Sequence, residues 1–135
     1  MSSIFIDTNI LIDVLAKREP HFNASAKIWS LAETGKLKAA VSAISFNNVH
    51  YLMRRFAGDS ASRKALSAMR ASFHIVPLDE AIIDQAINSG MKDFEDAIQL
   101  RSAILCKASC LVSRNIKDFP AGIVPILTPE EYLAL

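Results

Sequence analysis

Four aspartates are the residues of this sequence best placed to do chemistry together. Asp7 follows directly on the apolar run Ser3–Ile6, Asp93 and Asp96 stand three residues apart at the start of an apolar-periodic stretch, and Asp118 lies in the polar loop beyond Cys110–Val112. On a helix, a spacing of three puts Asp93 and Asp96 on one face. Carboxylates from three segments that meet in one cleft repel each other, and a bound divalent cation is the usual means of holding them together. With no Cys or His among them, the donors suit a hard, oxygen-preferring ion, so Mg²⁺ or Mn²⁺ is expected rather than Zn²⁺. Such an ion activates a water and neutralises charge growing on a phosphate, which makes phosphodiester hydrolysis the matching reaction class. Each aspartate also has a plainer reading, because Asp at a helix start often only caps it, for about 1 kcal/mol. For Asp93 the two readings stand level. Capping explains less of Asp96, which sits inside the first turn beside Ala97 and Ile98. A bare turn explains neither Thr8 and Asn9 after Asp7 nor the matching acidic loop at Asp118.

The elements that must position these residues alternate between strand and helix. Ser3–Ile6 reads as a strand that stops at the turn- and cap-forming Asp7-Thr8-Asn9, and Leu11, Ile12, Val14 and Leu15 give the next helix its apolar face. A second helix runs from Pro20 to about Thr34, Ala39–Val41 is a second strand, and a third helix capped by Ser42 reaches Phe56. Gly58-Asp59 breaks the chain before a fourth helix, Ser60–Ala71, and a third strand, Phe73–Val76. A fifth helix covers Asp79–Asn88 and a sixth runs from Asp93 to about Lys107. Strands at Cys110–Val112 and Ile123–Ile126 follow, and Thr128-Pro129-Glu130-Glu131 has the cap, first-position proline and acidic first turn of a closing helix. Short apolar strands between amphipathic helices predict an α/β fold with a parallel sheet covered on both faces. In such sheets ligands bind beyond the C-terminal strand ends, where Asp7 and Asp118 fall.

On these residues the sequence resembles the PIN-domain family. Phe5-Ile6-Asp7-Thr8-Asn9-Ile10-Leu11 is similar to its opening motif, Phe94-Glu95-Asp96-Ala97-Ile98 to its central acidic helix, and Leu111 to Phe119 to its closing strand and loop. Order and spacing match across essentially the whole chain, including Val41-Ser42-Ala43-Ile44-Ser45. The resemblance implies a three-layer α/β/α sandwich with a central parallel sheet, often homodimeric, that cuts RNA with Mg²⁺ or Mn²⁺. Many short bacterial members are VapC-like toxins silenced by a small antitoxin. It further implies that Asp7, Asp96 and Asp118 are metal-binding catalytic carboxylates with Asp93 as auxiliary, and that Thr8, Asn9, Ser113 and Asn115 position the metal shell or substrate. One departure stands out. The Glu usually supplied by the third helix is replaced by Asn48, whose amide brings no charge and is a poor general base. Either Asp93 supplies the missing carboxylate, the favoured reading since it shares a helix face with Asp96, or metal affinity and activity are reduced. The second case leaves open a PIN-fold RNA- or protein-binding module with weak or lost catalysis.

The remaining signals are softer. Arg114 can clamp a phosphate or pair with a neighbouring aspartate. Arg54-Arg55, Arg63-Lys64 and Arg70 are modest basic clusters that read first as solvated helix faces. The scattered His21, His50 and His74 form no metal pair, and His50 near Asn48 reads as a packed or rim histidine. Trp29, Phe46, Tyr51 and Phe56 are expected in the core or at contacts between chains, with the helices between Ser45 and Ala71 as the partner face. Cys106 and Cys110 are expected as buried thiols. At 135 residues and a net charge of +1, one PIN-like domain over residues 1–135 is expected, without a bulk positive field for nucleic acid. No apolar stretch reaches the ~18 residues that span a bilayer and the N-terminus lacks a signal-peptide pattern, so a cytoplasmic protein is expected. A haloacid-dehalogenase-type phosphatase would need an Asp where Asn9 stands. A dinucleotide fold would need a glycine-rich turn that the four dispersed glycines cannot make.

Overall fold

The structure, a computed structural model, describes residues 3–135. Strand β1 (Ser3–Ile6) lies at the centre of a five-stranded, all-parallel sheet. Helices α1 (Thr8–Leu15) and α2 (Phe22–Glu33) lead to β2 (Lys38–Ser42), and α3 (Ala43–Ala57) and α4 (Asp59–Ser72) lead to β3 (His74–Val76). After α5 (Glu80–Ile87) and α6 (Phe94–Leu105) the chain crosses to β4 (Leu111–Val112), makes a short 3₁₀ turn at Ile116–Asp118, and finishes with β5 (Ile126–Leu127) and α7 (Pro129–Leu133). The strand order is β3-β2-β1-β4-β5, so the direction of winding reverses between β1 and β4.

Two cores follow from the two-residue period of the strands. Ile4, Ile6, Ala39, Val41 and Val112 face one side, where α1, α2, α3 and α4 bury Leu11, Ile28, Val49 and Met69 against them. Phe5, Ala40 and Leu111 face the other, under Ile82 of α5 and Ala97, Ile98 and Leu100 of α6. Two covered faces make the expected three-layer α/β/α sandwich, and they explain why β1 is apolar from Ile4 to Ile6 rather than alternating with polar residues.

The sequence boundaries shift in two places with a physical cause. The last strand is Ile126–Leu127 rather than Ile123–Ile126, with Ile126 in register with Leu111 and Leu127 with Val112. Pro125 has no N–H to give a ladder and contributes only its carbonyl, which accepts from Leu111 N, while Ile123 is left exposed. Phe73 is not part of β3 but the residue that closes α4, buried with its ring edge-on to Trp29 at 5.0 Å. Cys110 is buried as expected, whereas Cys106 is only half-buried, and burial pushes both thiols up, away from the reactive thiolate. Among the described residues no helix is long and apolar enough to cross a membrane.

Candidate active site

Asp7 continues the β1 ladder, its N–H donating to Val112 O at 3.0 Å, and so occupies the C-terminal edge of the sheet where β1 and β4 part. That reversal point is where open parallel sheets bind ligands. Asp7 stands at the N-cap of α1, yet its carboxylate makes no capping bond. Instead Oδ2 accepts from Ser113 Oγ at 2.8 Å, and Ser113 Oγ in turn accepts from Asn115 N at 3.1 Å. Asp7 and Ser113 are both buried. Burial raises Asp7 from 3.8 to about 6, against the Ser113 hydrogen bond, with the charges of Glu95 and Asp118 adding to the rise.

Helix α6 brings Asp96 in from the opposite side. Asp93 caps this helix, Oδ1 accepting from Asp96 N at 2.9 Å, so the capping reading of Asp93 is realised on one oxygen. Asp93 is exposed and Asp96 half-buried. Asp96 rises from 3.8 to about 7, by desolvation first and then by the charges of Asp7, Asp93, Asp118 and Glu95. Two adjoining hollows meet at Asp93 and Asp96. One is lined also by Asp7, Asn9, Asn48 and Glu95, the other by Lys92, Lys117 and Asp118. Asp118, at the end of the 3₁₀ turn, is exposed. The four sequence-nominated aspartates therefore border one continuous cleft, with Asn48 on its α3 wall.

Other nominated residues divide. Asn9 lines the cleft and its Oδ1 is buried without a partner among the described residues. Thr8 also borders it, but its hydroxyl points inward to Ser45 and Gln99. Asn115 is exposed, and its backbone N–H donates to Ser113 Oγ. Arg114 clamps no neighbour in the cleft. It forms a two-pronged pair with Asp13 of α1, Nε to Oδ2 at 2.7 Å and Nη2 to Oδ1 at 3.3 Å, with Asp13 fully buried. That pair ties α1 to the loop that carries Asp118. His50 packs on Ser62, Nδ1 to Oγ at 2.6 Å, and Arg54 faces Asp59 at 3.6 Å on the surface.

Three participants escape a reading by residue type alone. Glu95 sits beside the central Asp96 and lines the Asn48 wall, where its charge weighs on Asp7 more than any other. Its position in the first turn of α6, next to Asp96, is the signal that could have found it. Gln99 and Ser45 are buried polar residues inside apolar stretches, a pattern that carries no marker in sequence.

Among the described residues no three His, Cys, Asp or Glu side chains are gathered tightly enough to form a ready-made ion site; the carboxylates line the cleft from several sides. The donor chemistry fits a hard divalent ion all the same. It consists of carboxylate oxygens, two of them disfavoured as free anions, and the partnerless Asn9 Oδ1.

A family model described as PIN domain matches residues 3–117. The chain belongs to the PIN-domain family. This PIN domain is similar to a chain in a toxin–antitoxin complex from Klebsiella pneumoniae, with 29% identity, 94% of this chain and 98% of that one covered, and a TM-score of 0.70. It shares its fold with VapBC2 from Rickettsia felis, solved bound to a DNA fragment from its promoter, at 16% identity, 93% and 97% coverage and a TM-score of 0.71. Mycobacterium tuberculosis VapC20, described as a Sarcin-Ricin loop cleaving toxin, superposes at a TM-score of 0.65 with 15% identity over 81% of this chain and 87% of that one. Among curated proteins, none matches the sequence.

Proposed function

We propose that this PIN domain, as one domain over residues 1–135, is a metal-dependent endoribonuclease that hydrolyses RNA phosphodiester bonds, and that it is the toxin of a type II toxin–antitoxin pair acting in the cytoplasm. The observation that supports this reading is that Asp7, Asp96 and Asp118 line adjoining hollows at the reversal point of a parallel sheet, where burial and neighbouring carboxylates raise Asp7 to about 6 and Asp96 to about 7. Asp7, Asp96 and Asp118 would hold Mg²⁺ or Mn²⁺, which when bound supplies an activated water and positive charge for the phosphate. The chain's own residues do the rest. Ser113 fixes one Asp7 oxygen. Asn9 offers an unused acceptor and Asn48 an amide on the α3 wall. Asp93 and Glu95 add charge beside Asp96 as auxiliaries. Lys92 and Lys117 on the rim offset the acidic site and draw in a polyanion.

The partners proposed are an RNA substrate, a small antitoxin protein and a second copy of the chain. The neighbouring structures that are toxin–antitoxin complexes support the antitoxin, and the exposed Tyr51, Leu52 and Phe56 of α3 offer an apolar face for a protein partner.

The test is to incubate the purified, partner-free chain with mixed RNA in Mn²⁺, Mg²⁺ or EDTA, with Asp96→Asn alongside. Metal-dependent cleavage that disappears in the variant is expected. A folded protein that cuts no RNA with either ion would replace this reading by the binding-module one, with Asn48 as the cause.

A further inference from the structure

Behind the cleft lies a closed knot of polar side chains for which the acidic chemistry has no use. Thr8 Oγ1 and Ser45 Oγ lie 2.6 Å apart, and Gln99 Nε2 donates to Thr8 Oγ1 at 2.8 Å and to Ser45 Oγ at 3.3 Å. Gln99 and Ser45 are fully buried and Thr8 nearly so. The three come from α1, α3 and α6, and they have no other covalent or ladder connection to one another at this point. Each stands immediately next to, or one helical turn from, a residue of the cleft: Thr8 follows Asp7, Ser45 precedes Asn48 by three, and Gln99 follows Asp96 by three. On a helix a step of three is a stack on one face, so the buried side chain sets the rotation of the cleft side chain above it.

Packing alone gives no reason for the amide. Gln99 is fully buried on the α6 face it shares with Asp96, Ser102 and Ala103, its Oε1 has no partner among the described residues, and such an orphaned buried acceptor costs about 1–3 kcal/mol. Leu or Met would fill the volume without that cost. What an apolar side chain cannot supply is direction. Two N–H bonds to two hydroxyls on two other helices fix how far α6 is rotated and slid against α1 and α3, whereas apolar contacts tolerate sliding.

We infer that Gln99 is a positioning residue that holds Asp7, Asn48 and Asp96 in mutual register for cation binding. The inference rests on the metal-dependent reading of the cleft. Gln99 touches no substrate and acts through Thr8 and Ser45.

The test is Gln99→Met, with Mn²⁺ binding measured by titration calorimetry and by the Mn²⁺-induced shift in melting temperature, beside wild type and Asp96→Asn. In Gln99→Met the Thr8–Ser45 bond survives, so a metal-free melting temperature equal to or above wild type is expected, together with a Mn²⁺ dissociation constant raised about ten-fold or more, the usual size for outer-sphere partners of metal ligands. A residue with only a structural role would lower the metal-free melting temperature and leave Mn²⁺ affinity in place. Wild-type Mn²⁺ affinity in Gln99→Met, with affinity lost in Asp96→Asn, would overturn the positioning role while leaving the metal site standing. Wild type that binds no Mn²⁺, or binds it equally in Asp96→Asn, would overturn the metal reading and this inference with it. If Gln99→Met does not fold, Ser45→Ala, which removes one arm of the knot, decides by the same measurement, a weakened Mn²⁺ affinity supporting the role and an unchanged one refuting it.

Discussion

Neutralising Asp7 should stabilise the metal-free protein while abolishing its metal site. A carboxyl raised from 3.8 to about 6 on folding is easier to protonate in the native state than in the unfolded chain. Its contribution is therefore present in full below pH 3.8, fades as the pH rises, and is gone once the pH has passed through about 6. The whole span corresponds to about 3 kcal/mol, set mainly by burial. Asn has the same shape, stays neutral at every pH, and still offers an oxygen to Ser113 Oγ, which lies 2.8 Å from Oδ2 of the aspartate. Asp7→Asn should accordingly exceed wild type by about 3 kcal/mol at pH 8 and by roughly half of that at pH 5. Asp96 adds to the gain at the higher pH, because its own rise is partly caused by the Asp7 charge. Urea unfolding in EDTA reads this directly. With a slope of about 2 kcal/mol/M, the midpoint of the variant should lie about 1.5 M above wild type at pH 8. Mn²⁺ should then narrow the gap, since it binds and stabilises only the wild type. A variant less stable than wild type at pH 8, or a gap that does not change between pH 5 and pH 8, would refute the view that Asp7 is held at the cost of folding stability.

The Asp13–Arg114 pair should be asymmetric on deletion. Arg114→Ala leaves the fully buried Asp13 carboxylate without its partner and should cost about 3–5 kcal/mol in urea unfolding, whereas Asp13→Ala leaves a guanidinium that can turn to water and should cost about 1–3 kcal/mol. Equal losses would mean that the pair is not desolvated as its geometry implies. Asn48→Glu should lower the Mn²⁺ concentration needed for RNA cleavage and, by adding a like charge near Glu95, lower the metal-free melting temperature at pH 8. A variant with an unchanged metal requirement would show that the α3 wall does not face the ion.

Much of this site is legible in the order of the amino acids. Asp7 is marked by the abrupt end of an apolar run, Asp96 by its place inside the first turn of an apolar-periodic helix, and Asp118 by its loop beyond a strand. Parallel topology then sends Asp7 and Asp118 to the same edge. Harder to read are residues whose roles depend on what lies opposite them. Arg114 admits two readings of equal weight, and only the packing of α1 under the β4 loop selects Asp13, a residue with no signal of its own beyond being an acid on an apolar helix. Helix periodicity favours Asp93 as the stand-in for the carboxylate that Asn48 lacks; in the fold Asp93 spends one oxygen on its cap and shares the hollow beside Asn48 with Glu95, an acid that periodicity does not single out.

By itself the sequence determined the alternation of elements, the two-faced sheet and the identity of the acids, because strand and helix periods and chain-local turn chemistry are written in short windows of residue types. Tertiary structure alone decided which charges feel one another, that Asp7 turns to Ser113 instead of capping α1, and that Thr8, Ser45 and Gln99 close a knot across separations of 37 and 91 residues. The reason is range. Periodicity and capping act over one or two turns of chain, whereas desolvation, charge repulsion and buried hydrogen bonds depend on distances that only the folded packing sets.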